Sequence, residues 1–177
     1  TLRTWLNDTF LNTAFTSAEQ AAIKNTAVVN SDNQKWGTKG GENTTDKVYL
    51  LSIAEASNTA YGFNGEFRTD SETRVATNTA YVAGKDGMNA VGEADWWWLR
   101  SPGDYSNRSL AVSYVDPYGC GNGGGYGVHV VTDAVRPALH LNLSSSNLWS
   151  YAGKVTAEGG SGSSQATSTP TPTSKPT

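Results

Sequence analysis

The sequence predicts an α+β fold, in which two or three helices come first and a small, mainly antiparallel sheet follows. Near the start of the chain, apolar residues recur at the spacing of one helical stripe: Leu2, Trp5, Leu6, Phe10 and Ala14. Residues 139–143 alternate leucine with polar residues, as in a strand with one buried face. Helical spacing in the first half and strand spacing in the second therefore favour α+β, with long ordered loops between the elements.

Further helical segments are predicted after the first stripe. Ser17 followed by Gln20 resembles a capping box and predicts a short second helix that runs through Ile23. Ser52 is placed to cap a helical turn that ends at Ser57. A partial apolar stripe predicts another helix over residues 71–83.

Short strands and one long loop are predicted between these helices. Residues 27–29 and 48–51 are apolar runs of strand length. Residues 31–46 carry turn-forming types at nearly every position, so we expect a surface loop there.

The second half of the chain predicts the sheet. Apolar and aromatic runs at 96–99, 110–115, 126–131 and 135–143 are separated by turn residues. The glycine-rich stretch 119–127 lacks the residues that complete a phosphate-binding loop, so it is interpreted as a hairpin. In a strand, Trp96 and Trp98 share one face and Trp97 takes the other, and we expect most of this cluster to pack in the core.

Composition excludes several partners and leaves room for one domain. The 177 residues carry a net charge of −3, and the 13 basic residues are scattered, which argues against nucleic acid. No apolar run approaches the roughly 18–20 residues that cross a bilayer. Residues 1–150 are predicted to form one domain, monomeric within a larger chain.

Residues 151–177 are predicted to be a linker. After Glu158 the chain becomes rich in glycine and serine and then alternates proline with threonine. Such a segment has no large apolar side chain to bury and tends toward extended polyproline II. Linkers of this composition space the modules of secreted bacterial proteins, so we expect an extracellular or cell-surface location and a parent protein with further modules.

No residue pattern demands catalysis. His129 and His140 fall at strand positions, and the single cysteine, Cys120, excludes a disulfide or a cysteine-based zinc site within one chain. A serine nucleophile lacks its elbow motif. Paired carboxylates for glycoside hydrolysis remain open, but solvated loops explain them equally well; they are Glu66, Asp70, Glu72, Glu93 and Asp95. We therefore expect no catalytic residue, no metal and no cofactor.

Several segments resemble a bacterial family of unknown function. Residues 97–103 read Trp-Trp-Leu-Arg-Ser-Pro-Gly, and residues 127–128 and 135–143 read Gly-Val and then Val-Arg-Pro-Ala-Leu-His-Leu-Asn-Leu. Family members read W-W-L-R-S-P-G and then G-V-R-P-A-L-W-L-N-L. The segments 2–7, 40–43 and 46–52 also look like that family, so the resemblance covers residues 1–143.

That family is similar to the formylglycine-generating branch of the C-type lectin fold, which also includes variable proteins diversified by retroelements. The resemblance implies a C-type-lectin-like binding scaffold in which Trp97, Trp98, Arg100, Arg136 and Pro137 are structural. Its arginines would pair with buried carboxylates or carbonyl groups and tie the strand ends together. The strands that usually precede the first helix are missing here. Formylglycine chemistry needs a cysteine pair, so the enzymatic role does not carry over to Cys120.

The segment 104–132 contains no Lys, Glu, Gln, Trp or Met. Adenine-directed mutagenesis of Asn-type codons cannot produce those five, so the segment is compatible with a retroelement-diversified surface, and equally with a hairpin that is simply rich in Gly and Tyr. We predict that the ligand-binding residues are Asp104, Tyr105, Asn107, Arg108, Tyr114, Asp116, Tyr118, Asn122, Tyr126 and His129.

The sequence thus predicts a non-catalytic recognition module whose ligand is a glycan or a protein. Tyrosine offers ring stacking and a hydroxyl at low entropic cost, while glycine and asparagine supply shape and hydrogen bonds. Calcium near Asp104 or Asp116 is conceivable, but no ligand spacing demands it. Two alternatives stay open: an enzyme that acts on cell walls or glycans, and a structural spacer.

Overall fold

The computed structural model describes residues 1–105, 111–130 and 132–144, with the backbone alone for 111–114. It contains short helices in the first part of the chain and three small antiparallel sheets, so the predicted α+β class is confirmed. The predicted linker 151–177 lies outside the described residues, as do Leu110, Val131 and residues 145–150 of the predicted domain.

The first helical stretch contains a π-helical turn. It consists of α1 (Leu2–Trp5), a π segment (Leu6–Phe10) and α2 (Leu11–Ala14). Leu6 and Leu11 are buried, whereas Leu2 and Trp5 are 40% and 41% exposed. The predicted stripe is therefore wrong at its start, because the wider π turn brings residues five apart toward one face.

The second helix, α3 (Ser17–Ala22), begins one residue earlier than predicted. Thr16 is its N-cap: its Oγ1 accepts from the Glu19 backbone N–H, and its own N–H donates to Glu19 Oε2 at 2.7 Å. The capping box is thus Thr16 with Glu19, and the predicted pair of Ser17 and Gln20 is wrong. Gln20 instead donates from Nε2 to the Phe15 carbonyl.

A two-stranded ribbon frames the long loop. Strand β1 (Thr26–Val28) pairs antiparallel with β2 (Thr44–Asp46), so the predicted loop 31–46 is wrong over its last three residues. The ribbon forms there because Asp46 is buried against Arg3, with two oxygen atoms at 2.9 Å from Nε. Strand β3 (Tyr49–Leu50) follows within the predicted run 48–51.

Residues 52–83 form short turns rather than long helices. Ser52 Oγ accepts from the Glu55 backbone N–H at 3.2 Å, which confirms the predicted cap. The turns that follow are three 3₁₀ segments and one helical turn: Glu55–Ser57, Thr59–Tyr61, Glu72–Arg74 and α4 (Ala80–Ala83).

The predicted helix over 71–83 is wrong. Between Arg74 and α4 the backbone is extended and pairs with the segment before the central sheet. Asn78 N donates to the Glu93 carbonyl at 2.8 Å, and Asp95 N donates to the Ala76 carbonyl at 3.2 Å. Tertiary pairing therefore overrides the weak helical stripe.

The central sheet has the order β4-β5-β6, with β4 (Trp97–Pro102), β5 (Ala111–Val115) and β6 (Gly121–Gly127) all antiparallel. The glycine-rich stretch 119–127 lies in the β5–β6 hairpin, as predicted, and supplies the end of its turn and its second strand. The predicted strand at 126–131 is wrong, because β6 ends at Gly127. The connection is the turn 116–120, where Gly119 has a φ of 80°. Asp116 Oδ1 accepts there from Tyr118 N and Cys120 N.

Glycine is required in β6 because other groups lie against its backbone. A Cβ on Gly121 would lie within 2.4 Å of three ring carbons of Phe67. The Gly121 N–H also donates to the Phe67 carbonyl at 2.7 Å. Glycine therefore stands at position 121 despite its low preference for strands, because a side chain there would displace the Phe67 ring.

Strand β7 (Pro137–Ala138) pairs with β3 and is much shorter than the predicted strand 135–143. Leu141 makes only an isolated bridge, to Ile23. Leu139 and Leu141 pack against the core, but Leu143 is 74% exposed. The predicted alternation is therefore wrong at its end.

Two hydrophobic clusters lie on opposite faces of β4. Trp98 packs with Leu6, Val48 and Leu50 in one cluster, against which Trp96 also packs. Trp97 packs with Leu99, Val115 and Ala56 in the other. The predicted alternation of the three tryptophans is confirmed, and both Trp97 and Trp98 are buried.

Candidate functional site

The predicted ligand residues from position 114 onward follow the β5–β6 hairpin, whereas Asp104 and Tyr105 follow the end of β4. Val115 pairs with Gly121 near the turn, and Ala111 pairs with Gly127 at the other end. Tyr118 therefore lies at the turn, while Tyr126 and His129 lie at the opposite end, a strand length of about 17 Å away. Asn107 and Arg108 lie outside the described residues, and so does the side chain of Tyr114.

Three of the predicted polar residues hold backbone in place. Asp116 organises the hairpin turn through the two hydrogen bonds described above. Asn122 Oδ1 accepts from Gly124 N at 2.9 Å, and Asp104 N donates to the Gly124 carbonyl at 3.0 Å. The side-chain contacts explain why polar residues stand at positions 116 and 122 without a ligand, whereas the contact of Asp104 is made by its backbone N–H.

The aromatic and imidazole side chains of the predicted set that the structure describes are exposed. Tyr105, Tyr118 and Tyr126 are 51%, 73% and 51% exposed. The His129 ring lies over Gly127, where a Cβ would stand 2.5 Å from Cε1. Exposed rings thus occur at both ends of the hairpin, and they do not form one patch.

A cavity of about 350 Å³ opens beside Tyr126. Its lining combines aromatic, carboxyl, amide and hydroxyl groups: Gly87, Asn89, Asp95, Trp96, Tyr126, Val130, Thr132 and Asp133. We call it the Tyr126 pocket.

Backbone contacts around the central strand place the walls of the Tyr126 pocket. Ala134 N donates to the Trp96 carbonyl at 2.7 Å, and Trp98 N donates to the Ala134 carbonyl at 3.0 Å. This pairing sets Asp133 beside Trp96. In the lining of the same pocket, Gly87 and Thr132 lie close together: a Cβ on Gly87 would stand 2.8 Å from Thr132 Cγ2.

Two aromatic rings form one side of the pocket. The Trp96 and Tyr126 rings meet edge to face, with centroids 6.4 Å apart and planes at 76°. Such pairs hold both rings in fixed orientations. Trp96 also packs against the core cluster under the helices, so the rigid interior supports the aromatic wall.

Among the described residues, Asp133 is the carboxyl group whose environment is least favourable to charge. Burial, and after it the neighbouring Asp95, raise the pKa of Asp133 to about 6. Its Oδ2 is buried and has no hydrogen-bond partner within the described part of the chain. An anion in this position is costly unless a positive group approaches it.

Asp95 lines the same pocket but is occupied by the fold. Its Oδ2 accepts from Asn78 Nδ2 and from Asn89 N, both at 2.9 Å, and its Oδ1 accepts from Trp96 N at 3.0 Å. The residue is 5% exposed, so the expectation that it sits in a solvated loop is wrong. Asp95 anchors the loop that carries Asn89.

A second, larger cavity is mainly apolar. It measures about 450 Å³ and lies between the first helix, the β1–β2 ribbon and the start of β4. Leu2, Leu6, Val28 and Trp98 are among its apolar lining residues. Arg3 and Asp46 form an ion pair at its edge, with Nη2 and Oδ1 2.8 Å apart.

The residues proposed as structural lie at junctions between elements. Arg100 forms an ion pair with Glu55 and donates to the Leu50 carbonyl at 2.7 Å. Arg136 donates to the Arg74 carbonyl at 3.2 Å and lies over the Trp97 ring, 5.0 Å from its centroid. Pro137, in β7, is paired with Leu50.

Sequence reasoning missed the residues that define the pocket. Asp133 and Asn89 stand in short polar stretches between predicted elements, and nothing in their local pattern marks them. The sequence signal that could have pointed to the pocket was Trp96. It stands at the start of the predicted strand 96–99, next to the core residue Trp97. The proximity of Asp133 to Trp96 depends on the backbone pairing of Ala134 with Trp96, which brings together segments distant in sequence.

The family of this chain follows from comparison with known proteins. Residues 1–143 match the family described as domain of unknown function DUF6273. The chain belongs to this family. No curated protein and no solved structure matches the chain.

Within the ranges given above, no helix has the length and apolar character that crossing a bilayer requires. In the same ranges, no group of three or more His, Cys, Asp or Glu side chains is arranged to hold a metal ion.

Proposed function

We propose that this chain is a non-catalytic recognition module that binds a glycan at the Tyr126 pocket. The observation that carries the proposal is the combination of a fixed aromatic pair, Trp96 and Tyr126, with polar groups in one concave site. Small-ligand sites typically have this mixture of apolar wall and a few oriented polar groups.

Sugars suit such a lining for a physical reason. The C–H face of a pyranose packs on an aromatic ring, while its hydroxyl groups need hydrogen-bond partners around the edge. Asn89, Thr132 and Asp133 bring an amide, a hydroxyl and a carboxyl group to the same cavity as the rings. The volume of about 350 Å³ lies in the range of small-molecule sites.

Binding is favoured over catalysis because, among the described lining residues, one carboxyl group keeps an oxygen atom without a protein hydrogen bond. Glycoside hydrolysis normally uses two carboxyl groups on either side of the bond. Asp95 is committed to three hydrogen bonds from the protein, which leaves Asp133 alone. A single carboxyl group with a raised pKa supports ligand recognition more readily than it supports hydrolysis, which needs an acid and a base.

The hairpin turn supports a second candidate, the binding of a protein. Tyr118 is 73% exposed at the tip of a turn that Asp116 fixes. A rigid turn that presents tyrosine resembles the way in which paratopes bind proteins. This site lies at the other end of the hairpin from the Tyr126 pocket, so the two candidates can be separated by mutation.

A C-type-lectin-like scaffold and an extracellular location belong to the same proposal. The motif resemblance supports the scaffold, and the proline- and threonine-rich composition of residues 167–177 supports secretion as part of a modular protein. The composition of residues 104–132 supports diversification by a retroelement.

The test is a binding screen of the full chain against a glycan array and a set of bacterial and mucosal surface proteins. Tyr126→Ala should abolish glycan binding, and Tyr118→Ala should leave it unchanged. Tyr81→Ala is the matched control, since Tyr81 is 71% exposed and lies outside both sites. Binding lost only in Tyr118→Ala would select the protein candidate, and no binding by a folded chain would favour the structural spacer.

A further inference from the structure

Within the described part of the chain, no positive group compensates the charge of Asp133. The other buried carboxylates of the described residues are compensated: Asp46 by Arg3, and Asp95 by one amide side chain and two backbone N–H groups. Glu55, which is half-buried, pairs with Arg100. The buried Oδ2 atom of Asp133 has no hydrogen-bond partner among the described residues, and none of the described residues that line its pocket is a lysine or an arginine.

The rest of the pocket is also suited to a cation. Asp95 adds a second negative charge to the lining, and it is one of the two causes that raise the pKa of Asp133. The Trp96 and Tyr126 rings line the same cavity. Aromatic faces attract organic ammonium groups through their quadrupoles, and more strongly where the cation is partly desolvated.

Carboxyl groups alone would bind any cation weakly. In this pocket, the negative charge lies beside an aromatic wall and an amide in one cavity. A ligand that satisfies all of these groups has an ammonium group attached to a ring with an apolar face and hydroxyl groups. An amino sugar has this structure.

We infer that the Tyr126 pocket selects glycans that carry a free amino group, with the ammonium placed against Asp133 and the sugar ring against Trp96 and Tyr126. This inference rests on the proposed function and names its ligand class. The N-acetylated form of the same sugar lacks the charge and is predicted to be the weaker ligand.

The experiment compares a glucosamine trimer with an N-acetylglucosamine trimer by calorimetric titration of the full chain at about pH 7, where Asp133 is ionised and the amine is largely protonated. Because hydrogen bonds between charged groups are roughly twice as strong as neutral ones, we expect about tenfold tighter binding of the glucosamine trimer. Asp133→Asn keeps the side-chain shape and should remove that preference.

Asp70→Asn is the matched control, because Asp70 is exposed and lies outside the pocket lining. It removes the same formal charge and should leave the tenfold preference intact. A preference that falls equally in Asp70→Asn and Asp133→Asn would come from net charge and would overturn the inference.

The outcomes separate this inference from the proposed function. Equal binding of the two trimers, lost in Tyr126→Ala, would overturn the amino-sugar inference and keep glycan recognition. Binding of neither trimer, together with binding of another neutral glycan on the array, would do the same. Failure of every glycan would overturn both.

Discussion

Arg74 Nε donates to the carbonyl oxygen of Gly119 at 2.6 Å, which ties the turns of residues 55–74 to the tip of the central hairpin. The Arg74 side chain is fully buried. Its other nitrogen atoms donate to carbonyl oxygens, among them Asn64 at 2.8 Å and Thr69 at 2.6 Å. Burial lowers the pKa of Arg74, and the surrounding carbonyl groups take the place of a carboxylate partner.

Replacing Arg74 with lysine should destabilise the domain strongly. Lysine keeps the charge but cannot reach several carbonyl groups with one planar fork. We expect a loss of about 2–3 kcal/mol in the free energy of unfolding, because buried acceptors are left unpaired. Urea denaturation measures it, with Arg68→Lys as the control at an exposed arginine. Equal stability of the two variants would contradict the role assigned to Arg74.

Trp97 should be the tryptophan on which the fold depends most. Its side chain is 1% exposed, and its Nε1 donates to the Arg74 carbonyl at 3.0 Å. Trp97→Ala should cost about 3–5 kcal/mol, as large core truncations do. Trp36→Ala is the comparison, since Trp36 is 47% exposed, and it should shift the urea midpoint little. A small effect at Trp97 would mean that the second hydrophobic cluster contributes little.

The tryptophan alternation and the buried β4 strand could be predicted from sequence because they follow from strand geometry alone. The strand Gly121–Gly127 could not be predicted, because glycine has a low preference for strands. Glycine is needed there to make room for the ring of Phe67, which is distant in sequence. Burial of Arg74 was equally hidden, because its partners are backbone carbonyl groups that leave no sequence signal. Tyr126 could be named as a candidate ligand residue from sequence, whereas the place of Asp133 beside Trp96 depends on pairing through Ala134.

Two glycines with left-handed backbones should differ sharply when replaced by alanine. Gly62 has a φ of 83° and open space around it, so Gly62→Ala measures the conformational cost alone, about 1–2 kcal/mol. Gly119 has a φ of 80°, and a Cβ there would lie 2.0 Å from the Ser71 carbonyl oxygen. Gly119→Ala should therefore be clearly less stable than Gly62→Ala in the same urea titration. Similar losses would show that the hairpin tip can move away from Ser71.

The charge on Asp133 should contribute a loss of stability to the free protein as the pH rises, opposite in sign to the contributions of carboxyl groups whose pKa the fold lowers, such as Asp46 and Glu55. The pKa is raised to about 6 in the fold, against about 4 in an unfolded chain, so between these values the folded state holds the extra proton. Stability is then lost as pH increases from about 4 to 6, and the deficit persists above that range. Because the group is partly exposed, we expect a deficit on the order of 1 kcal/mol.

Asp133→Asn removes this titration and tests it. Relative to the unmodified protein, the variant should gain stability when the pH is moved from about 4 to about 7, as measured by urea unfolding at both values. Asp70→Asn should show no such change between the two pH values. A gain that is the same at both would mean that the Asp133 charge is already compensated in the fold, which would also remove the electrostatic reason for a cationic ligand.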